Sequence, residues 1–291
     1  MNLLKHKFNT GDFGIIAEIE PPKGTDVSMM VKHATKVKAK VDAFVVPEMT
    51  NAVMRMSALG GAMILQGRGM DTVMQISCRD KNRLALQAEL LAAGACGISN
   101  IMAVTGEDPS FGDHHQTKAV YDIELIELLE AVQKLGAGQD MSGAPLTGSP
   151  EFLVGSTVNA GFKGQALDLE LEKMDKKAEA GTTFFVTPPL FDITAIEPFL
   201  KRVDRQKVKI VPTVLVLKSV GMARYIARNL DHVHIPDELI SRIQKAGDKA
   251  EECVRIASET IDALKQEGFS GALISTVGWE DKLPKILEKI K

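Results

Sequence analysis

The sequence predicts an α/β protein, a single-domain (β/α)8 TIM barrel over residues 1–291 with an extra C-terminal helix. Eight short, β-branched apolar runs alternate with longer amphipathic segments, and no linker rich in Pro, Ser or charge divides the chain. A length of 291 residues suits one large barrel as well as two ordinary domains. No GxGxxG or GxxxxGK(S/T) fingerprint of a nucleotide-binding doubly wound fold occurs. The alternation therefore favours the barrel.

The predicted elements follow one another in regular order. Strands are expected at 14–20, 42–46, 72–77, 99–104, 152–158, 183–187, 208–216 and 271–275. Helices are expected near 27–39, 52–66, 81–94, 122–135, 166–180, 193–203, 219–229 and 249–267, with a terminal helix near 280–290. The stretch 136–150, rich in Gly, Pro and Ser, follows a helix and precedes a strand. It is therefore expected at the amino-terminal face of the barrel, whereas active sites collect at the carboxyl ends of the strands.

The first strand ends in two carboxylates. Side chains alternate along a strand, so Ile16, Glu18 and Glu20 are expected on one face, and Pro21-Pro22 ends the ladder just beyond them. A buried or crowded carboxylate keeps its proton to higher pH, as a general acid working near neutrality requires. An alternative fits this segment equally well, in which one glutamate caps a helix and the other is solvated.

Composition argues against several classes of partner. The net charge of −3 and the pI near 6.1, without basic blocks, disfavour nucleic acid and anionic membranes. A small-molecule substrate fits this charge better. No leader-like apolar segment stands at the start, and no apolar run approaches the roughly 20 residues that span a bilayer. A cytoplasmic protein without a membrane span is expected.

The cysteines and histidines predict no metal site. Cys78, Cys96 and Cys253 show no CxxC spacing, so neither a disulfide framework nor a zinc site is indicated. The ends of the predicted strands are polar and acidic and contain no histidine. His114-His115 is expected on an exposed loop, and Cys78 is expected to be a packed core residue.

Several segments together resemble the methylenetetrahydrofolate reductase family, whose members are flavin-dependent (β/α)8 barrels. They are AEIEPPKGT at 17–25, RMS at 55–57, QISCRDKNR at 75–83, NIMAVTGE at 100–107, AVYD at 119–122, KMDKKAEAG at 173–181 and GWE at 278–280. Their order covers nearly the whole chain, and the resemblance is greatest to the compact branch found in anaerobic one-carbon metabolism. It implies hydride transfer from a reduced flavin, FAD, to methylenetetrahydrofolate, after a general acid has protonated the departing ring nitrogen.

The resemblance also implies roles for individual residues. Glu18 matches the catalytic acid, and Glu107 matches a carboxylate that stabilises the substrate cation and binds the pterin; Glu107 could instead cap the following helix. The implied substrate contacts are Glu20, Glu107 and Leu217. The implied flavin contacts are Gln75, Thr105, Gly106, Tyr121, Asp122, Ser156, Thr157, Glu170 and Lys177.

Two prolines depart from the family pattern. Pro47 stands where a threonine commonly reaches the flavin, and Pro188 stands where a glutamine usually recognises the pterin. These departures leave open a tetrahydromethanopterin carrier, FMN or a deazaflavin as cofactor, or a non-catalytic or electron-relaying subunit with the same barrel. The resemblance further implies a homo-oligomer. It also implies an electron-donating partner subunit that carries any iron–sulfur clusters, because this chain lacks the cysteines to hold a cluster itself.

Overall fold

The computed structural model describes residues 2–230 and 232–290 and confirms the predicted TIM barrel. Eight parallel strands pair in chain order, and the last strand closes on the first. The strands are β1 (Gly14–Glu18), β2 (Ala43–Val46), β3 (Thr72–Ser77), β4 (Asn100–Val104), β5 (Leu153–Thr157), β6 (Phe184–Pro189), β7 (Lys209–Leu215) and β8 (Gly271–Ser275). Each predicted strand is found within two residues of its expected bounds.

Helices surround the barrel. They are α1 (Leu3–Thr10), α2 (Ser28–Val37), α3 (Ala58–Gln66), α4 (Arg83–Ala95), α5 (Leu125–Gly136), α6 (Gly164–Glu179), α7 (Glu197–Leu200), α8 (Val220–Asn229), α9 (Asp237–Lys245), α10 (Lys249–Gln266) and α11 (Leu283–Lys289). Short 3-10 turns lie at Thr50–Ala52, Pro109–Phe111, Ile193–Ile196 and Glu280–Lys282. None of the helices in the described part of the chain is long and apolar enough to cross a membrane.

Helix α1 closes the floor of the barrel and was not predicted from the sequence. Its Leu4 and Phe8 are buried in the interior cluster, and the Phe8 ring lies 5.7 Å from that of Phe184 on β6. The Asn2 side chain caps the helix through Lys5 N at 2.9 Å. Leu4 and Phe8 therefore fill the floor of the barrel with apolar side chains, and the Asn2 side chain also donates a hydrogen bond to Asn100 at the start of β4.

The stretch 136–150 lies at the amino-terminal face, as predicted. Its residues 146–150 line one groove with Ser99, which immediately precedes β4. This segment is therefore on the side of the barrel away from the strand ends.

Three local predictions were wrong. β1 stops at Glu18, so Glu20 lies beyond the strand rather than within it. The helix expected from residue 52 begins at Ala58, because Met49, Asn51 and Ala52 adopt positive φ in an irregular turn. The helix expected over 193–203 is a 3-10 turn followed by the four-residue α7, and α9 was not predicted.

Candidate active site

Glu18 occupies the carboxyl end of β1, inside the mouth of the barrel. Ser275, at the end of β8, donates a hydrogen bond from Oγ to Glu18 Oε1 at 2.8 Å. Burial raises the pKa of Glu18 from 4.5 to about 7, and Ser275 acts in the opposite direction. The strand end thus holds a carboxylic acid that exchanges its proton near neutral pH.

Two further carboxylates influence the ionisation of Glu18. Glu20 and Glu280 both raise its pKa through charge repulsion, after the larger effect of burial. Glu20 is itself paired with Arg55, whose Nη2 lies 2.9 Å from Glu20 Oε2. Ser275, Glu280 and the Arg55 ion pair were missed as site features. Ser275 and Glu280 come close to Glu18 only because β8 closes on β1, whereas Arg55 comes from the loop after the neighbouring strand β2.

Arg79, which follows β3, anchors the loops after β3 and β4. Its guanidinium is buried and donates from Nε and Nη2 to the two carboxylate oxygens of Asp80, each at 2.7 Å. Its Nη1 donates to the backbone oxygen of Glu107 at 3.3 Å and lies 3.6 Å from Glu107 Oε2. Glu107 therefore extends into solvent, half-exposed, from a loop held by a buried cation.

Gly106 allows that loop to fit closely over Arg79. Its φ of +90° favours glycine, and an added Cβ would overlap Ser77 Oγ and Arg79 Cβ. The Tyr121 hydroxyl donates to Gly106 O at 3.3 Å, and Tyr121 itself has a φ of 40°. Such strained positions often occur at functional sites.

A cleft of about 670 Å³ opens beside this loop, between the ends of β3 to β5 and helices α5 and α6. It brings together five of the residues predicted to contact flavin. Lining the cleft are Thr105, Tyr121, Thr157, Glu170 and Lys177 from that set, with Cys78, Ile123, Glu124, Leu125, Ile126, Lys173 and Lys176. The volume is within the range of cofactor sites, about 300–1,000 Å³.

Charged side chains of α6 form one wall of the cleft. Lys177 is buried and donates from Nζ to Thr157 O at 2.8 Å; burial lowers its pKa, and Glu170 opposes that effect. Glu170 Oε1 accepts a hydrogen bond from Asn159 N at 2.8 Å. Lys173 and Lys176 are exposed, and no carboxylate of the described chain lies within 4.0 Å of either ammonium group. Free cations beside an apolar wall suit a ligand with an anionic part and an aromatic part.

Besides Gly106, three predicted flavin contacts are absent from the lining of the cleft and have protein partners outside it. Gln75 accepts a hydrogen bond from Glu48 N at 2.8 Å, and Ser156 donates to Ala103 O at 3.0 Å. Asp122 forms an ion pair with Arg83 at 2.9 Å. The ligand roles of these three residues stay predictions.

Leu217 lies after β7 and was expected to contact substrate. It is 1% exposed and packs in an outer cluster with residues of α8, α9 and α10. In this conformation it presents almost no surface to a ligand, and its substrate role stays a prediction.

A buried charge network lies behind the β2–α3 loop. Glu48 Oε2 accepts a hydrogen bond from Ala58 N at 2.6 Å, at the start of α3. Glu48 Oε1 lies 2.9 Å from Lys81 Nζ, which also pairs with Glu89 at 2.7 Å. Glu48 thus fixes the end of the strained turn, a role that the sequence did not indicate.

The loops beside Glu107 and Glu48 are joined to each other. Asp113 pairs with Lys23 of the β1–α2 loop and accepts a hydrogen bond from Met54 N at 2.9 Å. The hydrogen bonds from Lys23, Met54 and His114 together lower the pKa of Asp113. One carboxylate therefore connects three loops of the mouth.

No three His, Cys, Asp or Glu side chains in residues 2–230 and 232–290 are arranged to hold a metal ion. His114 is exposed, as predicted, and its Nδ1 lies 2.9 Å from Asp113. Cys78 is buried as predicted, and burial raises the pKa of its thiol to about 11. A thiol of this acidity is a poor nucleophile at neutral pH.

Comparison with known proteins identifies the family. The family model described as Methylenetetrahydrofolate reductase matches residues 3–291. The chain belongs to this family. It is an oxidoreductase family whose members typically use a flavin, and the match confirms the family resemblance of the sequence, though not its branch.

A curated member of the family supports the assignment. Methylenetetrahydrofolate reductase 2 of Schizosaccharomyces pombe (strain 972 / ATCC 24843) is 24% identical over 212 residues, covering 70% of this chain and 32% of the yeast protein. The chain thus matches about a third of the length of this relative.

Proposed function

We propose that this protein is a flavin-dependent reductase of the compact branch, which reduces 5,10-methylenetetrahydrofolate to 5-methyltetrahydrofolate. The observation that carries the proposal is the position of Glu18, a partly buried carboxyl group at the carboxyl end of β1 that accepts a hydrogen bond from Ser275 Oγ at 2.8 Å. Burial raises its pKa to about 7. Reduction of this substrate requires opening of its five-membered ring, which an acid near neutrality promotes. Family membership supports the same reaction class.

Glu18 would donate its proton to the departing ring nitrogen. With a pKa of about 7, a large fraction of the enzyme holds this proton at neutral pH. Placement of a general acid contributes about 10²–10⁴ in rate. Glu107, held beside Arg79, would stabilise the cationic substrate through its carboxylate, while Glu20 and Leu217 are proposed substrate contacts.

FAD is the proposed cofactor, and the cleft beside Gly106 would hold it. A reduced flavin, when bound, supplies the hydride. Lys173 and Lys176 would bind the diphosphate, since no carboxylate of the described chain neutralises them. Tyr121 and Thr105, which line the cleft, would lie beside the isoalloxazine end, and the Gly106 backbone at positive φ follows Thr105 directly.

Pro47 and Pro188 favour a second candidate, a methylenetetrahydromethanopterin reductase that uses FMN or a deazaflavin. Pro47 is buried next to Glu48, and Pro188 lies where the pairing of β6 with β7 becomes irregular. Neither residue has a backbone N–H or a polar side chain to offer a ligand. A non-catalytic subunit is disfavoured, since a binding module does not need a buried acid at the mouth.

The cellular setting is also proposed from the family resemblance. We expect a cytoplasmic homo-oligomer that receives electrons from a partner subunit. A direct nicotinamide donor has no recognisable sequence signature here.

The test begins with protein purified without oxygen, its visible spectrum, and identification of the released chromophore. The bound flavin is then reduced chemically, which removes the need for the natural donor, and mixed with methylenetetrahydrofolate or methylenetetrahydromethanopterin. Reoxidation by the folate alone supports the proposal, and reoxidation by the methanopterin alone supports the second candidate. If Glu18→Gln, with its flavin retained, reoxidises at the wild-type rate, the proposed acid is wrong.

A further inference from the structure

We infer that Ser275 is a positioning residue for Glu18, whose hydroxyl orients the carboxyl group and stabilises the carboxylate left after proton transfer. The inference deepens the proposed function, and its kinetic part rests on that function. Its structural part concerns only how Glu18 ionises.

Barrel closure brings the two side chains together. β1 and β8 pair in parallel, and the last register pair is Ala17 with Ile274. One residue further along each strand, Ser275 Oγ lies 2.8 Å from Glu18 Oε1. Ser275 is 7% exposed, so water has little access to the hydroxyl.

The adjacent residue offers a matched comparison. Thr276 is also buried, at 1% exposure, and its Oγ1 has no hydrogen-bond partner in the described chain. Glu18 therefore receives its bond from Ser275 rather than from Thr276. The Ser275 hydroxyl thus bonds to Glu18, and the neighbouring buried hydroxyl of Thr276 does not.

The charges around Glu18 make this hydroxyl important. Glu20 follows on the same segment, and Glu280, whose Oε1 accepts a hydrogen bond from Gly278 N at 3.1 Å, lies beyond β8. Val45, the partner of Glu18 on β2, carries no charge. Arg55, from the loop after β2, is paired with Glu20. Burial and both carboxylates oppose ionisation of Glu18, and the Ser275 hydrogen bond favours it.

The chemical consequence follows from the direction of proton transfer. When the acid gives up its proton, negative charge develops on a partly buried carboxylate whose ionisation Glu20 and Glu280 already oppose. A hydrogen bond to an ionised group is stronger than one to a neutral group. Ser275 therefore stabilises the carboxylate more than the protonated acid, which makes Glu18 a stronger acid without moving it into solvent.

The closing experiment titrates Glu18 directly by infrared difference spectroscopy of its carboxyl band, identified by its absence in Glu18→Gln. Ser275→Ala is expected to shift the ionisation of Glu18 to higher pH by about one pH unit. Ser275→Cys keeps the volume and replaces the hydroxyl with a weaker donor, so the shift should have the same direction. Thr276→Val, the control, should leave the titration unchanged.

A kinetic measurement then separates positioning from structural support. In Ser275→Ala, kcat for flavin reoxidation should fall about tenfold. The pH at which kcat decreases on the alkaline side of its pH profile should rise by the same amount as the ionisation of Glu18 measured by infrared spectroscopy. Thr276→Val should retain the wild-type kcat and pH profile. A merely structural defect would lower kcat without shifting the alkaline side of the pH profile.

The outcomes distinguish this inference from the proposed function. If Glu18 titrates at the wild-type pH in both folded Ser275 variants, or if Thr276→Val shifts it equally, the role of Ser275 is refuted. If the titration shifts as expected but wild-type protein reduces no methylene-pterin, the positioning role stands and the proposed reaction falls.

Discussion

Replacement of Glu18 by glutamine should stabilise the protein at alkaline pH. Below about pH 4.5 the carboxyl is protonated in both the folded and the unfolded chain, so its ionisation does not affect the free energy of unfolding. As pH rises from 4.5 to about 7, the unfolded chain releases the proton and the folded chain keeps it. The free energy of unfolding therefore decreases over this interval.

The size of the effect follows from the pKa values. The interval from 4.5 to about 7, at about 1.4 kcal/mol per pH unit, corresponds to about 3 kcal/mol of lost stability above pH 7. Glutamine is uncharged at every pH and keeps an oxygen that accepts the Ser275 hydrogen bond. Glu18→Gln should thus be more stable than wild type by about 3 kcal/mol at pH 8 and nearly equal at pH 4.

Urea unfolding at pH 4, 6 and 8, followed by circular dichroism, measures this difference. Glu107→Gln is the matched control, because Glu107 is half-exposed at the same face of the barrel. This substitution should change the free energy of unfolding by no more than about 0.5 kcal/mol at each pH. Equal stabilisation of Glu18→Gln at pH 4 and pH 8 would indicate a packing effect. No stabilisation at pH 8 would show that burial does not raise the pKa of Glu18, and the reasoning would be refuted.

Three further substitutions test other parts of the structure. Gly106→Ala should lower the free energy of unfolding by about 3 kcal/mol or more and weaken flavin binding, as measured by thermal melting and by flavin titration. Gly138 also has a positive φ but faces open space, so Gly138→Ala, the control, should cost about 1 kcal/mol. Lys81→Met should lower the free energy of unfolding in urea by about 3–5 kcal/mol, because it leaves the carboxylates of Glu48 and Glu89 without their cation. Lys201→Met removes an exposed ion pair and should cost less than about 1 kcal/mol. Phe8→Ala should cost about 3–5 kcal/mol in the same assay by opening a cavity in the floor, and a smaller loss would mean that α1 contributes little to closure.

The strands were predictable because their signal is local. Apolar runs such as Ala43–Val46 and Gly271–Ser275 are buried along their whole length, as parallel strands covered on both faces must be. Helix α1 was missed because only Leu4 and Phe8 of its eight residues are buried. So narrow an apolar stripe carries little periodic signal.

The site was predictable only in part, for a similar reason. Glu18 was recognisable from its position before Pro21-Pro22, and the Thr105–Gly106 loop from its segment. Ser275 was not, because it meets Glu18 across 257 residues of sequence and no local pattern records that contact. The network of Glu48 likewise depends on a lysine from the next strand–helix unit.

The contact between β1 and β8 also has a consequence for biosynthesis. The first strand emerges from the ribosome early, but its partner hydroxyl is 257 residues further along the chain. Contacts of such sequence separation form late, because the chain must first close a long loop. The burial and hydrogen bonding that set the acidity of Glu18 therefore arise only when the last strand joins the first. A chain interrupted before residue 271 would carry the glutamate but lack its tuned acidity.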